Sequence, residues 1–195
     1  VDMKSGVAVQ LKLAVELAAP ASDVTWIFYD QEEVESDRNG LGRLARNRPD
    51  LLAADFAVLG EPTAGGIEGG CNGTLRVRLR FHGTRAHSAR PWSGTNAIHA
   101  AADALATLAA YEPATVEVDG LDYREALNAT IVSGGVATNV IPDLAELTVN
   151  YRFAPSRSGE EAIAHVRDLF PGVEVVVDDL AEGARPGLDA PIARE

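Results

Sequence analysis

Hydrophobic positions change their period part-way along this chain. Between residues 4 and 18, Val7, Leu11, Ala14, Val15 and Ala18 recur every three or four residues, which predicts a helix. Pro20 ends it. Val24 to Tyr29 is a short, mostly apolar run, as in a strand buried on both faces. Residues 37–47 predict a second helix, with Pro49 beyond its end, and Phe56 to Leu59 predicts a second buried strand. Strand, helix and strand in this order predict a parallel α/β layer.

The period changes from near 3.6 to 2 after a glycine-rich crossing at Gly65, Gly66, Gly69, Gly70 and Gly73. Leu75, Val77, Leu79 and Phe81 alternate with Arg76, Arg78, Arg80 and His82. This predicts a strand with one buried face and one basic face in water. An alanine-rich helix follows at 94–111. Residues 128–134 and 144–153 read as strands, with a turn at Pro142-Asp143. Ala162, Ile163, Val166, Leu169 and Phe170 share one face of a helix at 158–170, and Val173 to Val177 is the last strand. The order βαββαβ is ferredoxin-like. It predicts a complete small domain at 72–183, inserted into a first layer made of 1–71 and 184–195. The expected class is α/β.

Composition narrows the partners. The chain has 195 residues, enough for one domain or two small ones, and is 46% hydrophobic and 24% charged, ordinary values for a globular protein. Its net charge of −12 repels phosphate backbones, so nucleic acid is not an expected partner. No apolar run reaches the roughly 18 residues of a membrane span, so no membrane partner is expected either. The start lacks both a signal-peptide core and an initiating methionine, which points to a fragment. The one cysteine, Cys71, excludes an internal disulfide and a thiolate cluster, and suggests a reducing, cytoplasmic setting. Cys71 itself reads as a small buried residue.

Acidic residues stand at the ends of first-layer elements. Asp2 precedes the first helix, Glu32 and Glu33 follow the first strand, and Glu61 follows the second, in Leu59-Gly60-Glu61-Pro62-Thr63. Ligands of open parallel sheets collect at the carboxyl ends of the strands. Carboxylates gathered there repel unless they meet cations, and a divalent metal pair relieves that repulsion. The plainer reading stands beside this one. Asp2 suits a helix N-terminus, Asp30, Glu32, Glu33 and Glu35 suit a solvated loop, and Glu61 suits a turn. Of the four histidines, His82 reads as a surface residue, His99 as structural and His165 as exposed on its helix. His87 lies in Gly83-Thr84-Arg85-Ala86-His87-Ser88-Ala89-Arg90-Pro91, a connecting loop able to present an imidazole to a ligand.

Six motifs in order carry a resemblance: Val1-Asp2-Met3-Lys4-Ser5-Gly6, the Glu32-Glu33 pair, Leu59 to Thr63, Gly83 to His87-Ser88, Asn139-Val140-Ile141-Pro142, and Tyr151-Arg152-Phe153. The chain resembles, essentially end to end, the zinc-dependent amidohydrolases that include aminoacylases and carboxypeptidase G. Within them it is most similar to actinobacterial-type succinyl-diaminopimelate desuccinylases. There Tyr29 to Glu33, Asn39-Gly40-Leu41-Gly42, His87 to Arg90 and Arg152-Phe153-Ala154-Pro155 also match.

The resemblance implies part of a zinc-peptidase-like α/β catalytic domain with an inserted lid or dimerisation domain, in a homodimer. It implies two zinc ions per subunit, with cobalt able to substitute. Asp2 would bridge the metals, Glu33 would bind one and Glu61 the other. Glu32 would be the general base and acid. His87, serving the active site of the other subunit, and Asn139 would stabilise the oxyanion, and Arg152 would hold a substrate carboxylate. Two such metals activate a bridging water and polarise an amide carbonyl. Neighbouring residues on an extended backbone point opposite ways, which suits one metal ligand beside one proton carrier.

The implied reaction is hydrolysis of N-succinyl-LL-2,6-diaminopimelate to succinate and diaminopimelate, in lysine and cell-wall precursor synthesis. A related deacylase acting on acetylornithine, a metallo-aminopeptidase, and a non-catalytic dimerisation module are the alternatives. The family's zinc site also needs two histidines, one in a His-x-Asp motif before the bridging aspartate and one near the C-terminus. None of the four histidines here matches them, so this chain alone is expected to be inactive and to bind metal poorly. The basic substrate contacts that some members carry near Cys71-Asn72 are also missing.

Overall fold

The computed structural model describes residues 3–32, 34, 37–188 and 190–194. It divides into two units, Val1–Gly69 with Leu188–Glu195, and Gly70–Gly187.

The first unit holds helices α1 (Lys4–Glu16) and α2 (Gly40–Asn47). Helix α1 stops two residues short of the expected end. Helix α2 starts three residues late because Asn39 caps it: its Oδ1 accepts the N–H groups of Leu41 and Gly42 at 2.9 and 3.2 Å. The two expected strands do not form. Val24–Tyr29 and Phe56–Leu59 pair with no strand among the described residues. Phe28 is 46% exposed and Val58 79%. A parallel strand is held by neighbours on either side, and the described residues supply none here. Nor does α1 bury any residue; Val7, Leu11 and Val15 remain exposed.

The second unit follows the expected pattern more closely. Its elements are β1 (Gly73–His82), β2 (Ala86–His87), α3 (Ala97–Ala100), α4 (Ala102–Ala109), β3 (Thr115–Val118), β4 (Leu121–Arg124), β5 (Ala126–Gly134), β6 (Val140–Ile141), β7 (Leu144–Phe153), α5 (Gly159–Leu169) and β8 (Glu174–Ala181). The four long strands form one antiparallel sheet in the order β5-β7-β1-β8. Long strands and helices together give βαββαβ, the ferredoxin-like arrangement.

Local chemistry explains the differences in detail. The single helix expected at 94–111 is two pieces broken at Ala101, with Asn96 Oδ1 capping the first. Helix α5 is bounded by a capping box, in which Ser158 and Glu161 satisfy each other's backbone N–H groups. Strand β8 runs on to Ala181, past the expected end at Val177. The hairpin β3–β4 was not expected. It turns on Asp119-Gly120, both at positive φ (52° and 84°), the geometry of a two-residue hairpin loop.

Alternation builds the core. Leu75, Val77, Leu79 and Phe81 of β1 and Ala145, Leu147, Val149, Tyr151 and Phe153 of β7 are buried. They pack against Ala97, Ala101 and Ala104 of the first helical pair and Ala162 and Val166 of α5. Each such Leu, Val or Phe side chain contributes about 1.5–3 kcal/mol when fully buried. The opposite face of β1 is not the solvated basic surface expected. Arg78 donates to Asp178 and Glu146, and Arg80 to Glu146 and Glu174. Carboxylates on the flanking strands β7 and β8 thus neutralise that part of the row.

Candidate active site

In the first unit a network of short contacts shapes the loop that carries Glu32. Asp30, expected to be a solvated charge, is ion-paired with Arg43 at 2.6 Å. Its carbonyl also accepts the Gly40 N–H at 2.9 Å. A Cβ on Gly40 would lie 2.6 Å from that carbonyl oxygen, so the approach requires glycine. Gln31 sits at φ 58°, a left-handed conformation uncommon for a side-chain-bearing residue, immediately before Glu32. Asn39 Nδ2 reaches the Glu32 carbonyl at 3.5 Å.

Glu61 is placed by a second close approach. A Cβ on Gly6 would fall 2.1 Å from the Gly60 carbonyl oxygen, so the first turns of α1 lie directly against the residue before Glu61. Tyr29 feels the charge of both carboxylates. Its phenol is half-buried and is held above its ordinary pKa, first by burial and then by the negative charges of Glu32 and Glu61. Glu32 and Glu61, 29 positions apart in sequence, therefore both act on one side chain. Asp2 and Glu33 lie outside the described residues.

In the second unit the two-residue strands β2 and β6 bring His87 and Asn139 together. His87 pairs with Val140 across the ribbon, and the Ser88 N–H donates to the Asn139 carbonyl at 2.9 Å. The exposed His87 ring accepts the Ala89 N–H at Nδ1, 3.1 Å away. In the neutral ring that bond places the proton on Nε2 and leaves an outward-directed donor. Arg152 is elsewhere. It lies at the far end of β7, roughly 27 Å from Leu144 at about 3.4 Å per residue, and donates through Nη1 to Thr74 Oγ1. Within this unit, then, His87 and Asn139 are brought together and Arg152 is not.

The other histidines differ from one another. His82 is exposed and meets Glu174 at 2.7 Å. His99 is exposed on its helix. His165, expected to be exposed, is half-buried: Tyr111 OH lies 3.0 Å from its Nε2, and its ring stacks on Tyr151. Burial first, then the positive Arg157, holds its pKa below the ordinary value. Cys71, expected to be buried, is exposed. It lies on the chain entering the second unit, where its backbone pairs with Ala184.

Carboxylate oxygens are suitable donors for a divalent cation. Among the described residues, however, no group of three or more Asp, Glu, His or Cys side chains is placed to hold one. Glu32 and Glu61 supply the right type of donor in an incomplete number. Two features, one in each unit, were not foreseen. Tyr29 was read only as the end of a strand. Glu125, between β4 and β5, is a buried carboxylate with three donors: the Ala154 N–H at 3.0 Å, Tyr151 OH at 2.8 Å and Arg157 Nε at 3.2 Å. Nothing in the local sequence marks it, because its donors come from β7 and the turn beyond.

Residues 70–174 match the family model described as "Peptidase dimerisation domain". The chain belongs to the M20 peptidase family. This M20 chain is 57% identical, over 99% of its length and 55% of the relative's, to a protein of Mycobacterium tuberculosis provisionally named succinyl-diaminopimelate desuccinylase DapE. It is 50% identical, over 96% of its length and 53% of the relative's, to the succinyl-diaminopimelate desuccinylase of Corynebacterium glutamicum. It thus spans about half the length of these curated relatives. Among solved structures, a tripeptidase from Staphylococcus aureus shares the fold with a TM-score of 0.65, at 20% identity, over 98% of this chain and 50% of that one. The α/β class with an inserted ferredoxin-like domain is thus the M20 architecture.

Proposed function

We propose that the M20 protein to which these residues belong is a metal-dependent amidohydrolase that cleaves N-succinyl-LL-2,6-diaminopimelate to succinate and diaminopimelate. The observation that carries this reading is the 57% identity across nearly the whole chain, and the chain's own motifs around Glu32, Glu61, His87, Asn139 and Arg152 support it. The proposed domains are 1–71 and 184–195 of the catalytic layer and 72–183 as lid and dimerisation domain. The proposed setting is cytoplasmic, as the single cysteine suggests. No helix among the described residues is long and apolar enough to cross a membrane.

The residues have separate tasks in this reading. Asp2, Glu33 and Glu61 hold two divalent ions, zinc by preference, and the missing histidine ligands come from outside this chain. Bound zinc supplies Lewis acidity toward the amide carbonyl and lowers the pKa of water. Glu32 accepts the proton of the attacking water and passes it to the leaving amine. Its loop is anchored through Asp30, Arg43 and Asn39, which supports a fixed carboxylate position. His87 donates Nε2–H to the developing oxyanion at the active site of the other subunit, with Asn139 beside it. Arg152 binds the substrate carboxylate.

The partner in this reading is a second copy of the chain. Strand β5 lies at the open edge of the sheet, with Ile131 and Val132 63% and 69% exposed. Ile98 on α3 and Leu105 on α4 are also exposed. An apolar edge strand beside apolar helical positions favours pairing with its own counterpart.

Steady-state rates on a panel of N-acyl substrates test the function, using the protein at the full length of its relatives. The succinyl substrate should give the largest kcat/KM. Turnover of N-acetylornithine with none of the succinyl substrate would overturn the assignment.

A further inference from the structure

The ribbon β2–β6 presents His87 and Asn139 from a ladder of two residue pairs, Ala86 with Ile141 and His87 with Val140. So short a ladder does not hold its own place, and its flanks must fix it. Before β2, Thr84 exchanges backbone hydrogen bonds with Thr95 at 2.8 and 3.0 Å. A Cβ on Gly83 would fall 2.2 Å from the Thr95 carbonyl oxygen, so these segments are in direct contact. After β6, the Pro142 carbonyl accepts the Ala97 N–H at 3.0 Å, and the Asp143 carbonyl accepts the Gly83 N–H at 2.8 Å. A side-chain contact joins the two arms as well. Arg85, directly before β2, brings Nε to 2.8 Å from Oδ1 of Asp143, two residues beyond β6.

The two arms are not equally secure. Ile141 is buried and ties β6 to the core, whereas β2 has only the half-buried Ala86 and the exposed His87. A slip of one residue turns every side chain of a strand to its other face, so the His87 ring keeps its direction only while the register holds. The Ser88–Asn139 bond depends on the same register. The ion pair ties the loose arm to the secured one. Arg85 holds the Asp143 carboxyl below its ordinary pKa, so the pair stays charged at neutral pH. Exposed pairs add little to global stability, but holding a two-residue register is a local task. We propose that the Arg85–Asp143 ion pair fixes the register of the ribbon and with it the direction of the His87 Nε2–H. Arg85 is then a positioning residue that acts through His87. The proposal rests on the reading of His87 as the oxyanion donor.

The test compares Arg85→Gln, Arg85→Lys, His87→Ala and the double variant Arg85→Gln with His87→Ala, in the protein at the full length of its relatives and on the succinyl substrate. Arg85→Gln should lower kcat by about two- to fivefold, the range an exposed ion pair can supply, with KM unchanged. Arg85→Lys keeps the charge and should keep the wild-type kcat. In the His87→Ala background Arg85→Gln should change nothing, because a residue that acts through another is not additive with it. The 15N shifts of the His87 ring report the same effect without turnover: the Nε2–H tautomer should dominate in the wild type and lose population in Arg85→Gln. Wild-type kcat in Arg85→Gln, an equal loss in Arg85→Lys, or the same loss with and without His87 would overturn the proposal. Wild-type kcat in His87→Ala would instead overturn the reading of His87, and the ring shifts would still decide whether the ion pair directs it: an unchanged tautomer in Arg85→Gln would overturn that too.

Discussion

At Glu125 burial and hydrogen bonding pull in opposite directions. Burial alone raises the carboxyl pKa. The Ala154 N–H, Tyr151 OH and Arg157 together outweigh it and hold the group below its ordinary value. A folded-state pKa below the unfolded one stabilises the fold fully above about pH 4.3, the usual glutamate value. That contribution is lost as pH falls through the lower folded-state value. Glu125→Gln keeps the shape but removes the charge and mismatches the donors. It should destabilise the chain by about 1–3 kcal/mol at pH 7. In urea unfolding the difference from wild type should shrink toward pH 3, and a difference independent of pH would refute this account. No pattern within the sequence marked Glu125, because burial of a carboxylate depends on donors remote in the chain. Glu32 and Glu61 stood out in the sequence as acids after apolar runs, although those runs do not form strands. Their shared influence on Tyr29 has no mark in the sequence, because Glu32 and Glu61 are 29 positions apart.

Elements were legible wherever one face alone is buried. Strands β1 and β7 alternate strictly, and their burial follows the alternation residue by residue. Such strands carry their own register signal. The apolar runs Val24–Tyr29 and Phe56–Leu59 carry no such signal. Strand formation there depends on neighbours rather than on the run itself, and the described residues provide none. The hairpin β3–β4 did have a local mark in Asp119-Gly120, which went unread beside the longer strands. Strand β5 has a consequence of its own. As an apolar edge it should be the pairing surface between copies, so Val132→Asp places a charge in the proposed interface at a site that is open in the single chain. By sedimentation at micromolar concentration, the wild-type chain should be a dimer and the variant largely a monomer. A monomeric wild type would contradict the β5 interface.

At the scale of the molecule, the candidate residues are divided between the two units. The acids Glu32 and Glu61 belong to the first unit, and His87, Asn139 and Arg152 to the second. The motif order made both sets legible as one family pattern, whereas neither set spells out the reaction by itself. The proposed hydrolysis requires a proton carrier that is not a metal ligand, and the proposal gives Glu32 that role. The most direct measurement is turnover of the succinyl substrate by Glu32→Gln, in the protein at the full length of its relatives, with metal content measured alongside. The account predicts a loss in kcat of about 10²–10⁴-fold with metal content unchanged. Turnover retained at the wild-type rate, or loss of the metal together with the activity, would contradict it.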